Sequence, residues 1–235
     1  MQEFFRGMMV FLLYILPAAA VMLTARALVK IPDELFRKIL HFILLGAYIP
    51  LAFGFSCWWH AAAFILGFAG AIYPILLLAS RIPGFTKFTT ERKKGEFVRS
   101  MVIALSVMAV SVTVCWGVFG DRHLVLACVY AWGVGDAFAA LVGKQFGRHK
   151  IRWKWADRRK SWEGTAAMFL TSAVAVWIVL LLRGGMDLFR CAVTAAAGAA
   201  MAALVEMHTK GGHDTFTCPA AAMLVILPLM KLLGG

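Results

Sequence analysis

Asp136, Ala140, Gly143 and Gly147 recur at spacings of four, three and four, which puts them on one stripe of a helix. A seam of small residues between membrane helices accounts for Ala140 and Gly143. It does not account for Asp136. An acid inside an apolar span is costly, and such a residue faces a wet cavity and a partner. The neighbouring Gly133-x-Gly135 pair lacks the third glycine and the preceding strand of a dinucleotide fingerprint, so it does not suggest one.

Directly after this stripe comes a basic run: Lys144, Arg148, Lys150, Arg152, Lys154, Arg158, Arg159 and Lys160. It leads into Ser161-Trp-Glu-Gly-Thr165, where the next apolar stretch begins. A lipid-facing basic patch covers part of this run. The remainder, Lys160, Ser161, Glu163, Gly164 and Thr165, sits at a helix start, whose free N–H groups and positive dipole end favour phosphate. Lysines beside it add point charge. Asp136 and Glu163 together suit magnesium (Mg2+), which takes few protein ligands and several phosphate or water oxygens. An acid, a basic loop and a helix start describe a polyphosphate site.

Three further polar clusters accompany it. Arg37, Lys38 and His41 open an apolar stretch, with Arg37 and His41 one turn apart. A buried, hydrogen-bonded histidine is the plain alternative for His41. Glu91-Arg-Lys-Lys-Gly-Glu96 is either a solvated charge run or part of the site. Glu206 precedes Lys210-Gly-Gly-His-Asp214, in which the glycines permit a tight turn and Asp214 is either an N-cap or a ligand.

The elements that must carry these residues are membrane helices. The 235 residues are 62% hydrophobic and 15% charged, too apolar for a soluble domain. A hydrocarbon core about 30 Å thick needs ~20 apolar residues per helix. Apolar stretches fall near 8–25, 38–55, 58–80, 98–118, 123–143, 163–182, 188–207 and 215–233. The fold class is therefore all-α: a polytopic membrane protein with about eight transmembrane helices, the first uncleaved, forming one transmembrane domain over 1–235. With eight spans, nineteen of the 24 Lys and Arg residues fall in loops on one side. Positive loops stay in the cytoplasm, so both termini are expected on the non-cytoplasmic side and all four polar clusters on the cytoplasmic face. The net charge of +12 then serves topology and the lipid bilayer, and no nucleic acid partner is expected. The five cysteines form no Cys-x-x-Cys pair, which argues against a zinc site or disulfide framework.

In this order the motifs resemble the polyprenol kinase family, which includes dolichol kinase, phytol kinase and the CTP-dependent diacylglycerol kinase. The matching pieces are Arg37-Lys38-x-x-His41, Arg92-Lys93-Lys-Gly95, Gly135-Asp-Ala-x-Ala139 with Gly143 and Gly147, Lys160-Ser-x-Glu-Gly-Thr165, and Asp214-Thr-Phe-Thr-x-Pro219. Thr215 stands where the family often has Asn. The resemblance implies transfer of the CTP γ-phosphate to a membrane lipid alcohol (a polyprenol, a phytol-like alcohol or diacylglycerol) with a divalent cation. On that reading Asp136, Glu163 and Asp214 are the catalytic and metal-binding acids. Gly135, Lys144, Lys150, Lys160, Ser161, Gly164, Thr165, Arg92, Lys93 and Gly95 meet the nucleotide. Arg37, Lys38, His41, Glu206 and Thr215 serve the substrate or support the site. A homodimer is compatible with it.

Two other readings compete. Gly135 to Thr165 also looks like the CDP-diacylglycerol synthases, which would release pyrophosphate. Those end in His-Gly-Gly followed by an Asp-Arg-x-x-Asp-like run, whereas this chain has Gly211-Gly-His213-Asp214 and no such run. A transporter would use the same acids for ions, but paired repeats with broken midplane helices are not legible here.

Overall fold

Helix after helix runs to about the length of a bilayer core. In the computed structural model the described residues are 1–235 except 83, 86–88, 90, 92–94, 154, 155, 158, 159, 211 and 235. The helices are α1 Gln2–Leu28, α2 Asp33–Gly46, α3 Tyr48–Phe53, α4 Trp58–Ala79, α5 Glu96–Ser111, α6 Arg122–Gln145, α7 Trp162–Arg183, α8 Leu188–His208 and α9 Asp214–Leu232. A π-helical stretch, Val112–Val118, prolongs α5. Counting α2 with α3 and α5 with its extension, eight spans among the described residues are long and apolar enough to cross a membrane. That is the number expected from hydropathy.

The second span differs most from expectation. It runs over Asp33–Phe53. It begins earlier because Pro32 precedes two acids, Asp33 and Glu34, in the first turn, where the positive end of the helix dipole favours them. α2 is amphipathic and carries Arg37, Lys38 and His41, each partly exposed. A window for continuous apolarity misses such a charged first half.

The chain forms two compact units, Met1–Gly117 and Val118–Gly235. The first packs through aromatic rings: Phe11 meets Phe64 and Phe68 edge-on, and Phe4 meets Phe55 and Phe64 likewise. Gly7 lies against the Phe55 ring, and Gly46 leaves room for Tyr14, whose hydroxyl donates to the Ile43 carbonyl at 3.0 Å. Gly95 precedes α5 with φ of +80°, a conformation glycine adopts freely, and its N–H donates to Glu91. Arg92 and Lys93 lie outside the described residues.

The second unit holds α6–α9, with α6 packed on α7 and α9, and α8 packed on α7 and α9. Its end opposite the basic loop is closed by two acids. Asp121 caps α6, accepting from the His123 N–H at 2.8 Å, and also receives the Arg183 guanidinium. Asp187 caps α8, accepting from the N–H groups of Phe189 and Arg190.

Candidate active site

The α6–α7 seam is built for closeness. A Cβ on Gly135 would lie 2.2 Å from Ser172 Oγ and 2.7 Å from Met168 Cγ. Ser172 itself donates to the Ala131 carbonyl at 2.6 Å. Gly164 faces the Ala139 carbonyl and Gly143, and Gly143 and Gly147 both face the Ser161 hydroxyl. Ser161 is buried and caps α7, its Oγ accepting from the Gly164 N–H at 3.3 Å. Gly143 thus has the packing role expected of it. Gly135, Ser161 and Gly164, expected at the nucleotide, occupy the same seam. The Thr165 hydroxyl, one residue further, is shielded and finds no hydrogen-bond partner among the described residues.

The basic loop between α6 and α7 is folded. Lys150 and Ser161 form an antiparallel bridge, and the Ile151 N–H donates to the Lys160 carbonyl at 3.0 Å. The Trp162 N–H closes the hairpin on the His149 carbonyl at 3.0 Å. Ile151 and Ala156 bury themselves with Met207, at the end of α8, and the Asp157 N–H reaches the Met207 carbonyl at 3.2 Å. We call this folded loop the lobe.

Glu163 belongs to the lobe. Its carboxylate accepts from the N–H groups of Arg148 and His149 at 3.2 and 3.1 Å, and Oε1 lies 2.7 Å from His149 Nδ1. This bond ties the start of the lobe to the first turn of α7. His149 was not singled out in the sequence; its place in a basic run, fourteen residues from the acid, gave no signal.

The other acids gather around Glu206. It is buried on α8, and its Oε1 lies 2.6 Å from Lys160 Nζ. Lys160 also donates to the Glu206 main-chain carbonyl. Besides Lys160, the charges of Asp136 on α6 and Asp214 on α9 act on Glu206. Three helices therefore bring three acids to one neighbourhood beneath the lobe. Asp214 is the first residue of α9, and its carboxylate accepts from the Thr215 N–H at 3.0 Å; His213 holds the cap position. Thr209, not singled out earlier, and Thr217, the second threonine of the Asp214-Thr-Phe-Thr-x-Pro219 motif, approach each other at 3.3 Å and join the end of α8 to the start of α9.

The residues named from sequence thus divide. Asp136, Asp214, Glu206 and Lys160 come together. Glu163 is engaged by His149 and the loop amides. Lys144 and Lys150 are exposed, at the end of α6 and on the lobe. Arg37, Lys38, His41 and Gly95 belong to the first unit. Among the described residues no group of three or more His, Cys, Asp or Glu side chains could hold a metal ion, so Asp136, Glu163 and Asp214 do not form a three-carboxylate cage. Magnesium does not require one: one or two carboxylates with phosphate and water oxygens suffice. The charges of Asp136 and Asp214 both act against that of Glu206, an arrangement that a cation would relieve.

The phytol kinase of Synechocystis sp. is 31% identical over 220 residues, covering 88% of this chain and 85% of its own. The chain belongs to the polyprenol and phytol kinase family. A probable chloroplastic phytol kinase of Triticum aestivum is 26% identical over 216 residues, covering 86% of this chain and 69% of its own. The dolichol kinase of Mus musculus is 28% identical over 167 residues, 65% of this chain and 30% of its own. No protein-family model and no solved structure matches. Membership makes the chain a lipid kinase, a phosphotransferase with an alcohol acceptor. The eight apolar helices make it an integral membrane protein.

Proposed function

We propose that this kinase transfers the γ-phosphate of CTP to an isoprenoid alcohol of the phytol or polyprenol class, at the cytoplasmic face. The observation that carries the reading is the Lys160–Glu206 ion pair, which joins the basic lobe to α8, with the charges of Asp136 on α6 and Asp214 on α9 in reach of Glu206. The names of the relatives favour an isoprenoid alcohol over diacylglycerol. CTP as donor rests on the family resemblance, and the cytoplasmic side rests on the nineteen Lys and Arg residues that an eight-span topology assigns to loops on one side. On this topology both termini lie on the opposite side, and the whole chain acts as one transmembrane domain.

In this reading the triphosphate lies against Lys144, Lys150 and the first turn of α7, where the Thr165 hydroxyl is an orphan donor. Lys160 stays on Glu206 and offsets its charge, and Asp136 and Asp214 are assigned to the phosphates. Those two aspartates would hold a divalent cation, magnesium in our assignment, which would supply neutralisation of the phosphate charge. Glu163 acts through the lobe, keeping the Arg148–His149 turn against α7. The lipid hydroxyl reaches the γ-phosphate sideways from the bilayer, its tail never leaving hydrocarbon. Phosphoryl transfer has a loose transition state, so positioning and charge neutralisation supply most of the rate. The hydroxyl proton passes to one aspartate of the pair.

The test is purified protein in nanodiscs with γ-labelled CTP or ATP and a panel of phytol, dolichol and diacylglycerol. Label in phytyl or polyprenyl phosphate, faster from CTP, is the expected result. Labelled pyrophosphate would instead make it a cytidylyltransferase, and transfer only to diacylglycerol would overturn the isoprenoid assignment.

A further inference from the structure

Three aromatic rings cluster outside the acid centre. Trp153, at the lobe's tip, lies 6.3 Å from Trp162 at an interplanar angle of 80° and 6.3 Å from His208 at 39°. Both tryptophans are half exposed, Trp153 at 56% and Trp162 at 48%. Each neighbour crowns an outward stripe. Trp162 stands in the first turn of α7, whose Leu170, Val174 and Ile178 are exposed. His208 continues the exposed Leu204 and Met201 of α8. In a membrane protein such stripes are what acyl chains cover. The rings therefore sit where two lipid-facing surfaces end.

A nucleobase platform is the rival use for stacked aromatics. The register of α8 disfavours it. Glu206 and His208 are two residues apart, about 200° around the helix, so the rings flank the side of α8 away from the buried acid. Ile151, Ala156 and the Asp157–Met207 hydrogen bond join the described part of the lobe to α8 there. Arg152, beside Trp153, is exposed, and the surrounding run is basic. Indoles settle at the boundary between head groups and acyl chains, and basic residues there attract anionic lipid.

We propose that the Trp153–Trp162–His208 corner is an interfacial docking site for anionic phospholipid head groups, with Arg152 over the lipid phosphate. It pins the lobe to the membrane surface and does not depend on which nucleotide donates phosphate.

The test uses the full chain in nanodiscs containing phosphatidylcholine or phosphatidylglycerol brominated high on the acyl chains. The readout is the fluorescence component lost in Trp153→Phe and, independently, in Trp162→Phe. Both variants keep an aromatic ring and should fold. That component is expected to be quenched by brominated lipid, with an anionic preference of about fivefold, the effect of one basic residue near such a surface. Arg152→Gln should abolish the preference while leaving the quenching. A component insensitive to brominated lipid in both variants overturns the proposal, and one that responds to CTP instead assigns the corner to the nucleobase.

Discussion

Removing the Lys160 ammonium while keeping its stem, Lys160→Met, should be among the most damaging single changes in the second unit. The Glu206 side chain is only 8% exposed and that of Lys160 19%, with 2.6 Å between the charged atoms. Removing one partner of a buried pair costs about 3–5 kcal/mol, because the other charge is left uncompensated. Lys160 is less buried than Glu206, which favours the lower end, about 3 kcal/mol. The charges of Asp136 and Asp214 act in the opposite direction, since they repel Glu206 once the lysine is gone. Glu206→Gln should cost less, because the lysine retains a carbonyl partner and is nearer water. The double variant, neutral at both positions, should recover most of the loss, giving a coupling of about 2 kcal/mol. Thermal unfolding in detergent, followed by circular dichroism for all four proteins, measures this directly. Additive losses in the double variant would refute the ion pair as the element that makes three neighbouring acids tolerable.

On the proposed reading Asp136→Asn should lower turnover by about a thousandfold while the protein still folds, since it removes a charge assigned to the phosphate; normal turnover in the folded variant removes Asp136 from the mechanism. Gly135→Ala should destabilise by about 1–3 kcal/mol, because its Cβ would meet Ser172 Oγ and Met168, and Ser172→Ala in the same chain should recover part of that loss. Independent effects of those two changes would show that the seam is looser than described. At the opposite end, burial raises the Asp121 pKa, but the Arg183 hydrogen bond, the His123 N–H and their charges outweigh it and hold it below the ordinary 3.8. A carboxyl depressed on folding contributes stability that is full above its unfolded value and is lost as pH falls through the folded one. The thermal midpoint of the wild type should therefore fall below pH 3.8 by more than that of Asp121→Asn, and parallel pH curves would contradict this.

The spans were legible because length and apolarity are local properties. The start of α2 was not, because Arg37 and Lys38 interrupt the run while one face of the helix remains apolar. Within the site, Asp136 and Asp214 stood out as acids at the edge of apolar stretches. What they meet did not: Lys160 and Glu206 are forty-six residues apart, and only the folded lobe brings them together. Gly135 and Gly164 show a second limit. A glycine beside a phosphate and a glycine beside another helix look alike in a sequence, and the distinction needs the Cβ distances to Met168 and Ala139.

The division of the acids changes how the motif Lys160-Ser-x-Glu-Gly-Thr165 works. Its lysine pairs with Glu206, its serine caps α7, its glutamate holds His149 and its glycine admits α6; of the five, only the Thr165 hydroxyl is left with a bond to offer. Four of the five residues thus shape the place where the lobe meets three helix ends. A phosphoryl-transfer site can be built this way, because its chemistry asks for position and charge more than for reactive groups. On the proposed reading Asp136 and Asp214 are the acids that meet the reacting phosphate, and substitutions within the motif should act by displacing the lobe.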